Sequence, residues 1–444
     1  MQRILILNAT VINEGRIRQA DLYIKDGRIE QIGTSLSSLP ADRTIDASGQ
    51  HLFPGMIDDQ VHFREPGLTH KGNIYTESRA AVAGGITSYM EMPNCKPATV
   101  TLERLREKFA LAENRSFANY SFYLGATNDN IEEIKALPKN ETCGIKVFMG
   151  SSTGNMLVDD PKTLEALFSN APTIIAAHCE DTPMIAENER LFREKYGENV
   201  PIEFHPAIRS AEACYKSSSL AVELAMKHGA KLHVLHLSTA KELELFSNAP
   251  LNDKRITVEA CAHHLFFDDS GYTSKGTLIK CNPAIKTARD REALVQAVIG
   301  NKVDVIGTDH APHTWEEKQN PYFSAPSGLP LVQDAFLSLL EHYHNGIFSL
   351  ELITEKTSHA VARLFDVQDR GFIREGYWAD LVLVDLEKPH AVTKENTLYH
   401  CGWSPFEGYT FKSSIAATIV SGEIAYEKGQ VTASPAGKRL AFNR

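Results

Sequence analysis

The chain has 444 residues, of which 43% are hydrophobic and 23% are charged, and its formal net charge is -10 at pH 7. This composition is typical of a globular protein. The acidic charge, with no local basic stripe, argues against nucleic acid as a partner, and no apolar run approaches the ~18 residues that a membrane span requires. We therefore expect neither nucleic acid nor a membrane as a partner.

The cysteines and the N-terminus indicate the compartment. Seven cysteines are scattered along the chain, and none belongs to a C-x-x-C pair. An odd, scattered set is typical of a reducing environment and offers no cysteine-based zinc site. The first residues lack a basic segment followed by a long apolar core, so we expect no signal peptide and a cytoplasmic protein.

The first fifty residues are predicted to form short β-strands. Apolar runs at residues 4–7, 11–12 and 22–24 alternate with turn signals at residues 13–15 and 25–28. Such punctuation predicts an antiparallel β meander.

From Leu52 onward, short apolar runs alternate with longer helical patterns. This alternation predicts parallel strands joined by crossover helices, and the length favours an eight-fold barrel over an open sheet. The predicted strands cover residues 52–57, 85–90, 144–149, 173–177, 231–236, 257–261 and 303–307, and the clearest helices cover residues 101–114, 211–228 and 289–299.

Strand patterns return towards the C-terminus. Helical patterns at residues 329–343 and 350–364 precede strand patterns at residues 379–385, 414–421 and 423–426. Because both ends of the chain are β-rich, we predict an α/β protein in which a (β/α)8 TIM-like barrel is inserted into a small β-sandwich domain formed by both termini. The predicted boundaries are 1–52 and 366–444 for the β domain and 53–365 for the barrel.

Side chains capable of chemistry follow several predicted strands. The carboxyl ends of barrel strands meet at one rim, so we expect these side chains to lie close together. Imidazoles and carboxylates suit zinc, and a catalytic zinc keeps one coordination position open for water. Any one of the 17 histidines is more often a packed or surface residue, so the prediction depends on the joint pattern. The side chains concerned are His62, Arg64, Asn94, His178, His236 and Asp309.

Lys146 lies inside one of the apolar runs, between Ile145 and Val147. In a strand it would point into a barrel or into a packed interface. Burial lowers the pKa of an amine and makes its neutral form available, and a neutral amine can add carbon dioxide to give a carbamate that bridges two metals. The alternative is a lysine whose stem is buried while its ammonium group reaches water.

Four motifs in the chain are informative together: His62-Phe63-Arg64-Glu65-Pro66-Gly67, Met92-Pro93-Asn94, Gly307-Thr308-Asp309-His310-Ala311-Pro312-His313 and Pro326-Ser327-Gly328. In these motifs, and over nearly its whole length, the chain resembles the dihydroorotases of the cyclic amidohydrolase group. Within that group, the resemblance implies that Arg64, Asn94 and His313 together separate dihydroorotases from hydantoinases and allantoinases.

The resemblance implies a metal site with five protein ligands. His62 would hold an inner metal, a carbamylated Lys146 would bridge two metals, and His178 and His236 would hold the outer metal. Asp309 would be both a ligand and the catalytic general base. The implied cofactor is zinc, as one or two ions.

The resemblance also implies a substrate site and a reaction. A zinc-dependent dihydroorotase interconverts dihydroorotate and N-carbamoyl-aspartate in pyrimidine synthesis, so we expect a small anionic substrate, and we expect a homodimer. The implied substrate-binding residues are Arg64, Asn94 and His313 for the carboxylate, Asn282 for the ring, and the backbone near Gly328 and Leu329.

One position departs from the family pattern. The family usually has His-x-His after the first barrel strand, and here the first of these positions is Gln60. An amide oxygen is a poorer zinc ligand than an imidazole. The alternatives for the inner site are an empty site, a site that recruits Asp58 or Asp59, and a weak site through Gln60.

Two other functions stay open. A hydantoinase or dihydropyrimidinase would apply the same metal chemistry to uncharged rings. A non-catalytic dihydroorotase-like subunit, for example a partner of aspartate carbamoyltransferase, is favoured by Gln60. The joint presence of Lys146, His178, His236 and Asp309 counts against this second alternative.

Overall fold

The computed structural model describes residues 3–150 and 156–444 of the chain. The strands are β1 (Ile4–Asn13), β2 (Arg16–Lys25), β3 (Arg28–Gly33), β4 (Arg43–Asp46), β5 (His51–Pro54), β6 (Met56–Val61), β7 (Ile86–Glu91), β8 (Asn119–Phe122), β9 (Leu124–Gly125), β10 (Ile145–Phe148), β11 (Ile175–His178), β12 (Leu232–Val234), β13 (Ile256–Cys261), β14 (Val305–Gly307), β15 (Leu381–Asp385), β16 (His390–Ala391), β17 (Thr410–Phe411), β18 (Ser414–Val420), β19 (Glu423–Glu427) and β20 (Gln430–Val431). The α-helices are α1 (Ile74–Ala83), α2 (Leu102–Ala112), α3 (Ile131–Ala136), α4 (Pro161–Asn170), α5 (Thr182–Tyr196), α6 (His205–Ile208), α7 (Ala211–His228), α8 (Ala262–Phe266), α9 (Tyr272–Lys275), α10 (Ala288–Ile299), α11 (Trp315–Lys318), α12 (Ala335–His344), α13 (Leu350–Thr354) and α14 (Ala360–Leu364). A π-helical segment, Glu355–His359, joins α13 to α14, and short 3-10 helices cover Ile202–Phe204, Glu242–Leu245, Leu251–Asp253, Asp269–Gly271 and Gly276–Ile279.

Strands from both ends of the chain share one nine-stranded sheet. Its order is β20-β19-β18-β15-β5-β1-β2-β3, with β4 paired to β1. The strands β1, β2 and β3 pair antiparallel, as predicted. The meander prediction is wrong for β4, which pairs with β1 in parallel. The predicted strand at residues 52–57 is wrong as a single strand, because β5 ends at Pro54 and pairs with β1 in parallel, whereas β6 begins at Met56 and pairs with β7. Because Leu52, Phe53 and Pro54 are buried, β5 takes a central place between β1 and β15.

The hydrophobic core of this sheet mixes the two ends of the chain. Ile4, Ile6 and Leu22 from the N-terminal strands pack in one cluster with Leu381 and Leu383 from β15. Burial of this apolar area ties the termini together, at roughly 25 cal/mol per Å² of apolar surface removed from water. The β-sandwich arrangement and the domain boundaries stay predictions.

The central part of the chain has the predicted parallel α/β character. The strands β6, β7 and β8 form a three-stranded sheet, and β9 to β14 form a six-stranded sheet in sequential order. Every pairing within these two sheets is parallel. Strands covered on both faces are expected to be apolar throughout, and all four residues of β10 are buried.

The helices agree with the sequence pattern in most places. The prediction for residues 211–228 is confirmed at both ends, because the Ser210 side chain accepts a hydrogen bond from the Ala213 amide and Gly229 adopts a left-handed conformation that ends the helix. The prediction for residues 329–343 begins too early. Leu329 bridges His310 in parallel, and the Leu331 amide donates to His310 Nδ1 at 2.9 Å. A turn at residues 332–334 follows, and α12 begins at Ala335.

Among the described residues, no helix combines the length and the apolar character that crossing a bilayer requires.

Candidate metal and substrate site

The residues predicted to carry the chemistry line one cavity of about 230 Å³. They follow or lie within different parallel strands, as the strand-end argument predicts. Leu329 is the exception among them, because it does not line the cavity and instead bridges His310. The cavity is lined by Gln60, His62, Arg64, Asn94, Lys146, Phe148, His178, His236, Asn282, Asp309, Ala311, His313, Pro326, Ser327 and Gly328.

Three of these residues hold strained backbone conformations. Arg64 has a φ of 71°, His236 a φ of 40° and Asp309 a φ of 50°. Left-handed backbone is uncommon outside glycine and costs roughly 1–3 kcal/mol at such positions. Strain of this kind persists where the surrounding structure holds a side chain in a required direction, which is frequent at functional sites.

His178 and His236 face each other through ring nitrogens. His178 Nδ1 lies 2.9 Å from His236 Nε2, and His178 Nε2 lies 2.9 Å from a carboxylate oxygen of Glu180. Glu180 also accepts a hydrogen bond from Arg209 at 2.6 Å. Since Glu180 takes the hydrogen on Nε2 of His178, the Nδ1 lone pair points at His236. Two such nitrogens converging on one point fit a bound cation, and the hydrogen-bonded carboxylate is the usual support of a ligand histidine.

Burial and neighbouring charges shift the pKa values of His178, His236 and Glu180 so that each group has the protonation state that metal binding requires. Burial lowers the pKa of His178 and takes the pKa of His236 well below its usual value, so both rings are neutral near pH 7, as metal ligands must be. Burial alone would raise the pKa of Glu180, but the charge of Arg209 and the hydrogen bond from His178 bring it to about 2. Glu180 therefore stays a carboxylate.

Lys146 is enclosed in the cavity wall. Its Nζ atom is buried without a hydrogen-bond partner among the described residues, and it lies 4.5 Å from the centre of the Phe148 ring. Burial lowers the pKa of the Lys146 amine to about 7. The alternative of an ammonium group that reaches water is wrong, because Lys146 is only 1% exposed. A neutral, unpartnered amine is the form that can take up carbon dioxide.

Asp309 is held by two neighbours through the same oxygen. Its Oδ1 accepts a hydrogen bond from Gln60 Nε2 at 3.0 Å and lies 3.2 Å from His62 Nε2. Asn94 Oδ1 lies 2.7 Å from His62 Nδ1 and takes the hydrogen there, which directs Nε2 of His62 towards Asp309. Asn94, which the resemblance assigned to the substrate carboxylate, is thus engaged with a histidine, and Gln60 acts as a donor to Asp309.

The two acids before Gln60 point in different directions. Asp58 accepts hydrogen bonds from the Thr308 amide at 3.1 Å and from the Thr308 hydroxyl at 2.6 Å, so it is committed away from the cavity. Asp59 Oδ2 lies 3.1 Å from Nε2 of His233. Neither acid lines the cavity with Gln60, so neither replaces the missing histidine at the inner position.

Two cationic side chains contact His313, which lines the cavity. Arg64 donates from Nε to the Pro312 carbonyl at 3.0 Å and lies 3.0 Å from His313 through Nη2. Lys71 Nζ lies 3.0 Å from the other ring nitrogen of His313 and pairs with Glu317 at 2.9 Å. Arg64 is buried, with only 8% of the residue exposed. Among the described residues, no carboxylate forms an ion pair with it.

The loop that carries Gly328 is held in place by hydrogen bonds from a buried lysine. Lys318 donates to the carbonyls of Lys280, Pro326 and Gly328 at 3.0, 2.9 and 3.0 Å. Gly328 has a φ of 145°, and a Cβ there would lie 2.4 Å from the Ala311 carbonyl oxygen, so only glycine fits this position.

Asn282 faces the same cavity with an unsatisfied group. Its Oδ1 atom is buried without a partner among the described residues, and the residue lines the cavity wall. A buried amide oxygen without a donor is unfavourable, so a ligand that brings an N–H group would satisfy it.

Sequence reasoning missed several residues that shape the site. Phe148 is the apolar neighbour of Lys146, and Lys71 contacts the ring of His313. Glu180 lies two residues after His178, so a carboxylate close behind a candidate ligand was an available signal. Arg209 gave no local signal, because its partner Glu180 is 29 positions away.

This chain is similar to known proteins over nearly its whole length. The model of the amidohydrolase family matches residues 51–425. An allantoinase of Desulfitobacterium hafniense is 30% identical over 98% of this chain and 98% of its own length, and a dihydroorotase of Pyrococcus furiosus is 31% identical over 98% of this chain and 96% of its own length. The solved structure of an L-hydantoinase (dihydropyrimidinase) from Arthrobacter aurescens superimposes with a TM-score of 0.93 at 26% identity, covering 99% of this chain and all of that one.

Proposed function

The chain belongs to the amidohydrolase family and is a cyclic amidohydrolase, and we propose that its substrate is dihydroorotate, which it hydrolyses reversibly to N-carbamoyl-aspartate in pyrimidine synthesis. The observation that carries the choice is Arg64, a buried guanidinium at the cavity wall without a carboxylate partner among the described residues. A substrate carboxylate would supply that partner, and guanidinium binds carboxylate through two parallel hydrogen bonds.

We propose zinc as the metal. His178 and His236 would hold one ion, with His62, Asp309 and the carbamate of Lys146 as further ligands. The neutral histidines and the unpartnered amine described above fit this group. When bound, zinc supplies the Lewis acidity that makes hydroxide available near neutral pH. Gln60 donates to Asp309, which favours one firmly held ion over two.

Asp309 would move the proton of the reaction. Its Oδ1 is occupied by Gln60 and faces His62, which leaves Oδ2 to accept the proton of the attacking water. The protonated acid would then return the proton to the ring nitrogen as the amide bond breaks, the usual shuttle of a general base that becomes an acid. Arg64 and His313 would hold the ring at the distance that this transfer needs.

An uncharged cyclic substrate is the second candidate. It is favoured by the similarity to an allantoinase and by the likeness to an L-hydantoinase structure. These rings lack the carboxylate, so they would leave the buried Arg64 charge without an anionic partner, which is unfavourable.

Steady-state kinetics of the zinc-loaded enzyme distinguishes the two candidates. Turnover of dihydroorotate is compared with that of allantoin, hydantoin and dihydrouracil under one set of conditions. We expect kcat/KM to be highest for dihydroorotate, and a higher value for any of the uncharged rings would contradict the proposed substrate.

We also propose that the two parallel sheets close into one (β/α)8 barrel. At one junction the His62 amide donates to the His310 carbonyl at 2.7 Å. At the other, the Tyr123 amide donates to Glu91 at 3.0 Å and the Leu124 amide donates to Gly144 at 3.1 Å. If β8 and β9 act as one strand, these contacts support a ring of eight. The boundaries 1–52, 53–365 and 366–444, the homodimer and the cytoplasmic location stay proposals.

A further inference from the structure

We propose that Asp59, His233 and Glu259 form a buried site for one divalent metal ion, separate from the site of His178 and His236. One ligand atom from each of the three lies within 4.8 Å of the other two. They come from β6, β12 and β13, and each side chain is 0% exposed. Two carboxylates and one imidazole are a ligand set that suits zinc.

The hydrogen bonds of His233 prepare it as a ligand. Its Nδ1 lies 2.8 Å from the Thr257 hydroxyl, and that hydroxyl donates to the Leu232 carbonyl at 3.2 Å. When the hydroxyl hydrogen is directed at Leu232, Nδ1 carries the hydrogen of the neutral ring. The lone pair is then on Nε2, which lies 3.1 Å from Asp59 Oδ2. This is how a second partner orients a metal-binding histidine.

The two carboxylates converge on one point without a donor between them. Asp59 Oδ1 and Glu259 Oε2 are both buried and have no hydrogen-bond partner among the described residues. Both lie beside Gly307, where an added Cβ would be 3.0 Å from Asp59 Oδ1 and 2.6 Å from Glu259 Oε2. Two carboxylate oxygens that face each other in the protein interior are strongly unfavourable, so either a shared proton or a cation must lie between them.

Neighbouring contacts fix Glu259 in this direction. Its Oε1 accepts from the His236 amide at 2.9 Å and lies 3.1 Å from the Cys261 thiol, which turns Oε2 towards Asp59. The proposed ion would therefore be held by a carboxylate that also accepts from the His236 backbone. Metal binding would explain why position 59 carries an acid, although Asp59 does not line the cavity that holds Gln60.

A metal-free arrangement of the same residues exists and is the competing outcome. It needs two protons, one shared by Asp59 and Glu259 and one on Nε2 of His233. A single divalent ion replaces both protons and leaves the same net charge. Both arrangements satisfy the buried charges. The metal content of the protein therefore distinguishes the metal-bound cluster from the metal-free one.

Zinc analysis of a variant without the catalytic histidines tests the proposal. The variant His178→Asn with His236→Asn is purified from zinc-supplemented cells, and its zinc is measured by mass spectrometry alongside circular dichroism. We expect one zinc per chain to remain, because metal at a preformed buried site is retained through purification. Adding Asp59→Asn removes it, whereas adding Asp58→Asn, the adjacent buried acid bonded to Thr308, leaves it.

Crystals of the unaltered protein provide a measurement that needs no variant. Anomalous diffraction at the zinc edge is expected to show a peak between Asp59, His233 and Glu259. A folded double variant without zinc, or crystals without this peak, would overturn the proposal and assign two protons to the cluster. Neither result bears on which cyclic amide the enzyme hydrolyses.

Discussion

The Gln60 side chain donates a hydrogen bond to Asp309 Oδ1 at 3.0 Å, although the two residues are 249 positions apart. The amide therefore holds the proposed general base at the place where the family resemblance implies a metal-binding imidazole. An amide nitrogen offers no lone pair to a metal, so Gln60 could ligate only through Oε1, which lies 4.0 Å from the Cys261 sulfur. This contact accounts for how the chain keeps Asp309 oriented without the first histidine.

Gln60→His is expected to restore the inner metal position. An imidazole at this position joins His62 and Asp309 as a ligand, and imidazole binds zinc more tightly than an amide oxygen does. The zinc content of the purified protein is expected to rise by one equivalent. Gln60→Asn, which keeps the amide but is too short to reach, is the control and gains no zinc. An unchanged zinc content in the histidine variant would show that the inner position is closed for another reason.

Asp309→Asn is expected to abolish most of the turnover while the fold stays intact. General-base catalysis contributes about 10²–10⁴-fold, and asparagine cannot accept the proton. The measurement is kcat with dihydroorotate, with circular dichroism for the fold. Zinc content is measured on the same sample, because Asp309 is also a proposed ligand. Near-normal kcat would remove Asp309 from the role of base.

Arg64→Met is expected to weaken binding of a charged ring selectively. A hydrogen bond to a charged group contributes about 1.5–3 kcal/mol, so KM for dihydroorotate should rise by about 10–100-fold. The matched comparison is dihydrouracil, which has the same ring without the carboxylate and should lose little. If both substrates were affected equally, Arg64 would have a structural role.

The parallel centre of the fold could be predicted because its strands are locally apolar. Ile145 to Phe148 is such a run, and its one lysine already indicated a special position. The strand β8 was not predicted, because Asn119 and Ser121 interrupt its apolar pattern. Asn119 is polar but buried, since its amide donates to Asp380 at 3.0 Å and its oxygen accepts from Ser421 at 2.8 Å. Partners 261 and 302 positions away cannot be inferred from a local pattern.

The features of the candidate site also divide into those that a local sequence pattern predicts and those that depend on distant contacts. Residues at strand ends, such as His178 and His236, could be proposed from position alone. The orientation of His178 by Glu180 and Arg209 depends on a contact between separate segments, and the direction of Asp59 depends on His233. Such directions are properties of packed side chains, which a sequence pattern of apolar and polar residues does not encode.

Lys318→Met is expected to loosen the loop that forms one wall of the cavity. Lys318 donates to the backbone carbonyls of Lys280, Pro326 and Gly328. The Lys280 carbonyl also accepts from the Gly328 amide, so the substitution leaves two carbonyls without a donor, at a cost of about 1–3 kcal/mol each. Urea unfolding should therefore show a loss of several kcal/mol, and KM should rise because Gly328 is no longer held. Lys135→Met, at an exposed lysine paired with Glu132 on a helix surface, is the control and should change stability by less than about 0.5 kcal/mol. Equal stability of the two variants would mean that other contacts hold the loop.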